Sequence, residues 1–157
     1  MTAPGVGFAV AADHNGVAMK QELCRWLTAQ GHPVRDCGVD SPDVVVDYPA
    51  LCAAVGREVM AGAARFGLVL GGSGSGEAIA CNKIRGVRAA LCHEVFVTEI
   101  ARAHNDANVM VVGAKVVTPT IAKELLGVWL STPFKGGRHQ DRLDQIARLE
   151  RGEDPGP

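Results

Sequence analysis

Phe66-Gly67-Leu68-Val69-Leu70 runs directly into Gly71-Gly72-Ser73-Gly74-Ser75-Gly76-Glu77, and this junction decides the fold. The first five residues are a short, continuous apolar run, as expected of a strand buried on both faces. The next six are glycine and serine, and a helical stretch follows. Strand, glycine-rich turn and helix make half of a βαβ unit. The same alternation extends outward in both directions. Upstream, residues 6–12 read as a strand. Met19, Leu23, Trp26 and Leu27 form one helical face, 33–37 a second strand, and 50–64 an Ala-rich helix. Downstream, strands are predicted at 87–92 and 109–112, with a helix between them that carries Phe96 and Ile100 on its apolar face. Ile121, Leu125, Val128 and Trp129 give a further stripe, and Leu143, Ile146 and Leu149 mark a last helix after Pro133. The pattern predicts an α/β fold. It is a Rossmann-like three-layer sandwich with a five-stranded parallel sheet, right-handed crossovers and an additional C-terminal helix. No internal repeat or linker interrupts it, so residues 1–151 are expected to form one domain, with 152–157 a flexible tail.

Composition narrows the function. The 157 residues include 47% apolar and 21% charged side chains, which is ordinary for a globular chain. Sixteen basic and seventeen acidic residues nearly cancel, so nothing in the charge calls for nucleic acid or a membrane surface. Glycine is the deviation, at 19 residues against the roughly 7% of average usage. Cys24, Cys37, Cys52, Cys81 and Cys92 form no C-x-x-C pair and no zinc-finger spacing, so they read as reduced thiols and no metal site is expected. The run 6–12 lacks a basic flank and ends in Asp13-His14, unlike a signal peptide, and no stretch is long enough to span a bilayer. A cytoplasmic protein is expected.

In an open parallel sheet ligands bind beyond the carboxyl ends of the strands. Those ends carry Asp13-His14, the Gly-Ser loop, His93-Glu94 and the region of Lys115. The loop is either a tight turn or a cradle of backbone N–H groups for an anion. It lacks the lysine of a nucleotide phosphate loop. Glu77, directly after it, either complements the helix dipole or acts as a general base beside that cradle. His104, four residues past Ile100, shares the apolar face and is expected to point inward, as a core or interface histidine or as an acid. Asn105 can be a helix cap, and Asp13-His14 can cap the first helix. Arg138 and Arg142 stand at i, i+4, as a solvated face or as a fork for phosphate.

Seven blocks carry a resemblance. They are Asp13-His14-Asn15-Gly16, Asp47-Tyr48-Pro49, Gly71 through Glu77, Asn82-Lys83, Gly86-Val87-Arg88-Ala89, His104-Asn105-Asp106-Ala107-Asn108 and Gly136-Gly137-Arg138-His139-Gln140-Asp141-Arg142. In this order, over about residues 6–150, the chain resembles the ribose-5-phosphate isomerase B family, with its galactose-6-phosphate and allose-6-phosphate relatives. The resemblance implies a metal- and cofactor-free aldose–ketose isomerase that interconverts ribose 5-phosphate and ribulose 5-phosphate through a cis-enediol. One branch of that family uses a cysteine just before the loop as base. Here that position is Gly71, so the base role falls to Glu77, as in the other branch.

On the same resemblance, the backbone of Gly72, Ser73, Gly74, Ser75 and Gly76 is the anion hole, and the Ser73 hydroxyl exchanges protons with substrate oxygens. His104 opens the sugar ring with Asp13 assisting, and His14, Arg138 and Arg142 hold the phosphate. Asn105 binds a hydroxyl or the enediolate, and Tyr48 and Lys115 complete the substrate contacts. A homodimer or homotetramer is implied, with His104-Asn105 serving a neighbour's site. Two positions depart from the pattern: Asn15 replaces a usual Ala, and Lys115 a common Arg. The alternatives are another four- to six-carbon phosphosugar, or a non-catalytic phosphosugar- or nucleotide-binding module. Glu77 discriminates against the module, because a carboxylate aimed at the same anion only weakens binding.

Overall fold

The computed structural model describes residues 5–157. Five strands, β1 (Phe8–Ala12), β2 (Val34–Asp36), β3 (Phe66–Gly71), β4 (Ala89–Leu91) and β5 (Val109–Gly113), form one parallel sheet in the order β2-β1-β3-β5-β4. Six helices accompany them: α1 (Val17–Ala29), α2 (Tyr48–Met60), α3 (Ser75–Cys81), α4 (Val95–Ala103), α5 (Pro119–Ser131) and α6 (Arg138–Glu150). The α/β sandwich with its extra C-terminal helix is the architecture the periodicity predicts. Its strand order reverses direction between β1 and β3, the switch point at which open α/β sheets bind ligands, and the segments after the two strands adjoin there through the bond from Asp13 N–H to the Leu70 carbonyl.

Strand alternation sorts the core into two layers. Phe8, Val10, Ala12, Leu68, Leu70, Met110 and Val112 face α1, α4 and α5, packing against Leu23, Leu27, Leu125, Leu126 and Trp129. Ala9, Ala11, Val69, Val109 and Val111 face α2 and α3, against Cys52, Val55 and Cys81. The second layer is built from small residues, so α2 lies close to the sheet. A Cβ added to Gly67 would come within 2.6 Å of Val55 Cγ1.

Four expectations from periodicity need correction. Phe96 and Ile100 are not the buried face of α4: Phe96 is 69% exposed and Ile100 half-buried, while Thr98, Ala101, Arg102 and Ala103 pack inward. Arg102 is held there by Asp106 and the Ala107 carbonyl, with its guanidinium over Phe66 and Trp129, so the polar residue takes the core position. His104 does not continue that face, because α4 ends at Ala103 and His104 is its C-cap. In α5, Ile121 is exposed and Ala122, Leu125, Leu126 and Trp129 are the core residues. In α6 only Leu143 of the predicted stripe is buried. After α6 the chain folds back, with the Pro155 and Pro157 carbonyls accepting from Arg148 and Gln145.

Candidate active site

Asp13 leaves β1 buried, 7% exposed, its N–H donating to the Leu70 carbonyl of β3. It does not cap α1, whose N-cap is Gly16. Its carboxylate accepts instead from Asn15, from the backbone N–H at 2.8 Å and from Nδ2 at 3.3 Å. His14 is half-buried beside it, with Nε2 3.3 Å from Asn15 Nδ2.

The loop after β3 turns through Gly74, whose φ of +82° requires glycine, and starts α3 at Ser75. Ser73 is exposed and its Oγ accepts from the Ser75 N–H. Among the described residues the N–H groups of Gly72, Ser73 and Gly74 donate to no protein acceptor. Glu77, on the first turn of α3, is only 4% exposed. Its carboxylate lies against the Cα of Gly71, so a Cβ at position 71 would sit 1.9 Å from Oε1. A side chain at residue 71 and this Glu77 conformation therefore exclude each other. Burial, with the neighbouring Asp13 carboxylate as a smaller contribution, pushes the Glu77 carboxyl above its ordinary value, against the lowering effect of its own backbone N–H. Such a carboxyl is suited to accepting a proton near neutral pH.

Tyr48 opens α2 over the same loop: a Cβ on Gly76 would touch its ring and hydroxyl at 2.6 Å. The turn after β5 is stitched to the loop by Ala114 N–H to Gly71 O and Lys115 N–H to Gly72 O, 2.8 and 3.0 Å. This places the Lys115 stem beside Gly72. His93, beyond β4, supports the turn by accepting from the Gly113 N–H at 3.1 Å, and burial lowers its pKa, consistent with a neutral ring.

These residues share one end of the sheet; the remaining candidates do not. His104 and Asn105 immediately precede β5 and so lie at the sheet's amino end. β5 alone has five residues, about 16 Å at roughly 3.3 Å each. His104 stacks on His139 of α6, ring centroids 3.9 Å apart, which brings Arg138 and Arg142 to that same end. One chain thus carries two separate groups: Asp13, His14, Tyr48, the loop, Glu77 and Lys115 at one end, and His104, Asn105, Arg138 and Arg142 at the other. The sequence reading gave no role to His139, although it stands beside Arg138. Nor did it give one to Asn15, whose only signal was its departure from the usual Ala. Among the described residues no three His, Cys, Asp or Glu side chains converge as metal ligands. No described helix is long and apolar enough to cross a membrane.

The chain is similar in sequence and fold to known proteins. Residues 8–146 match the family model described as Ribose/Galactose Isomerase. Ribose-5-phosphate isomerase B of Mycolicibacterium paratuberculosis is 40% identical over 143 residues, 90% of each chain. The Mycobacterium tuberculosis protein of that name is 38% identical over 154 residues, 98% of this chain and 95% of its own. Among solved structures, Clostridium thermocellum ribose-5-phosphate isomerase B superposes with a TM-score of 0.91 at 35% identity, covering 93% of this chain and 98% of its own. The type B enzyme of Trypanosoma cruzi gives 0.89 at 33% identity, covering 94% and 98%. With sequence and fold in agreement, the chain belongs to the ribose/galactose isomerase family and is a sugar-phosphate isomerase.

Proposed function

We propose that the chain interconverts ribose 5-phosphate and ribulose 5-phosphate through a cis-enediol, with Glu77 as the base, in a site completed by a second copy of the chain. The observation that carries this reading is the Glu77 carboxylate, buried on the side-chain-less Gly71, raised in pKa and next to unpaired loop N–H groups. Glu77 takes the proton from C2 of the open-chain aldose while O1 is protonated. The enediol then loses its O2 proton, and Glu77 returns its own to C1. The Ser73 hydroxyl moves protons between O1 and O2. The N–H groups of the loop, Gly72 through Gly76, stabilise the negative charge that develops on those oxygens.

Lys115 and His14 meet the phosphate from one chain, and Arg138 and Arg142 of a neighbouring copy meet it from the other. That neighbour's His104 opens the ring, with Asp13 assisting, and its Asn105 binds a sugar hydroxyl. Tyr48 walls the sugar. A homodimer or homotetramer is favoured by the separation of the two groups and by the exposed apolar side chains of Val95, Phe96 and Val97 on α4. The test is a panel of four- to six-carbon phosphosugars assayed for aldose–ketose conversion. The highest kcat/KM is expected for ribose 5-phosphate. A better turnover of another sugar replaces the substrate, and binding without conversion of any sugar overturns the catalytic reading.

A further inference from the structure

We propose that the carboxamide of Asn15 is a positioning residue of this site, orienting the Asp13 carboxylate and holding His14 in the tautomer whose proton is on Nδ1. That His14 meets the phosphate of a sugar rests on the reading above; the geometry around Asn15 does not. The backbone N–H of residue 15 reaches Asp13 Oδ1 at 2.8 Å, a bond that any non-proline residue supplies. The side chain adds what only an amide can. Its Nδ2 lies 3.3 Å from Asp13 Oδ2 and 3.3 Å from His14 Nε2.

An ionised carboxylate only accepts, so the nitrogen and not the oxygen of the amide must face Asp13. The second hydrogen of the same nitrogen then points to His14, and Nε2 must present its lone pair. In the neutral ring the proton is therefore on Nδ1, which is buried and has no partner among the described residues. Second partners of this kind commonly set a histidine's tautomer. Asn15 does so where three loops meet. Its Nδ2 is 3.5 Å from the point a Cβ on Gly72 would occupy, and the Lys115 Cδ is 3.7 Å from that point. Glu77 and Lys115 are the other charged groups around this corner, and among the described residues neither is hydrogen-bonded to Asn15 or His14. The hydrogen-bonding sense of His14 is thus set before a ligand arrives: acceptor at Nε2, donor at Nδ1.

The experiment reads the ring nitrogens directly. The full chain, labelled with 15N-histidine and free of substrate, is examined by long-range 1H–15N correlation at alkaline pH, where imidazoles are neutral. His14 is assigned by the signals lost in His14→Gln. The expected wild-type pattern is a pyridine-type Nε2 and a pyrrole-type Nδ1. Asn15→Ala should lose that pattern to an averaged or inverted one. Asn15→Asp, which offers only acceptors, should invert it to the Nε2–H form. A wild-type Nε2–H signal, or a pattern unchanged in the Ala variant, overturns the proposal. Because no sugar is present, a failed isomerase assay would sink the functional reading and leave this result standing.

Discussion

Residue 71 decides what residue 77 can do. With no side chain at 71, the Glu77 carboxylate occupies the volume a Cβ would need. Gly71→Ala should therefore leave the fold intact while displacing the carboxylate, and kcat should fall by at least ~10²-fold, the scale of a lost general base. Steady-state kinetics alongside a circular dichroism spectrum would check it. Glu77→Gln should lose as much activity and also gain stability. Its carboxyl is raised by burial first and Asp13 second, so the folded state holds that proton more tightly than the unfolded chain. Stability therefore falls as pH rises from the unfolded to the folded pKa, and above both the buried charge remains a cost. The Gln variant should be the more resistant to urea at neutral pH, and the difference should vanish in acid. For the same reason the acid limb of kcat/KM should sit above the ordinary carboxylate range. Asp13→Asn should shift it to lower pH without restoring the ordinary position, since burial persists.

At the scale of elements, the parts that position the site are the strands with small residues. Ala9, Ala11 and Gly67 let α2 approach the sheet, which brings Tyr48 at its start over Gly76. Gly67→Ala would place a methyl group 2.6 Å from Val55 Cγ1 and 3.0 Å from Val109 Cγ2, two stiff β-branched side chains in a packed layer. A loss of about 1–3 kcal/mol is expected, as for overpacking elsewhere, measured by urea unfolding. Strands β1, β3 and β5 were legible in sequence because a doubly buried strand must be continuously apolar, whereas β2, with Arg35 and Asp36 exposed, is an edge strand. Helix α4 was not legible. Its apolar spacing names Phe96 and Ile100, yet Arg102 takes the inner position because Asp106, Ala107, Phe66 and Trp129 neutralise and cover it. Asp106 and Ala107 lie in the turn after α4, and Phe66 and Trp129 in β3 and α5, so a periodicity within α4 has no access to them.

For the whole molecule, the two separated groups make a complementation experiment decisive. Glu77→Gln and His104→Ala should each be nearly inactive alone. In a mixture allowed to exchange subunits, one of the two sites in a mixed dimer regains both residues, so activity should recover to about a quarter of wild type. No recovery after verified exchange would mean that each chain works with its own His104.

The sequence by itself determined the sheet-and-helix alternation, the position of Asp13-His14 and the Gly-Ser loop at the carboxyl ends of strands, and the identity of Glu77 as the carboxylate of that loop. Each follows from local chemistry: strands buried on both faces, glycine where the backbone must turn, and a family resemblance carried in short contiguous blocks. Only the tertiary structure decided that Glu77 lies on Gly71 beside Asp13, that Asn15 bridges Asp13 and His14, and that His104 with the two arginines stands at the opposite end of the sheet. Those facts depend on how far apart the ends of β5 are and on which loops adjoin across the sheet. Such distances arise between residues remote in the chain, and no local pattern encodes them.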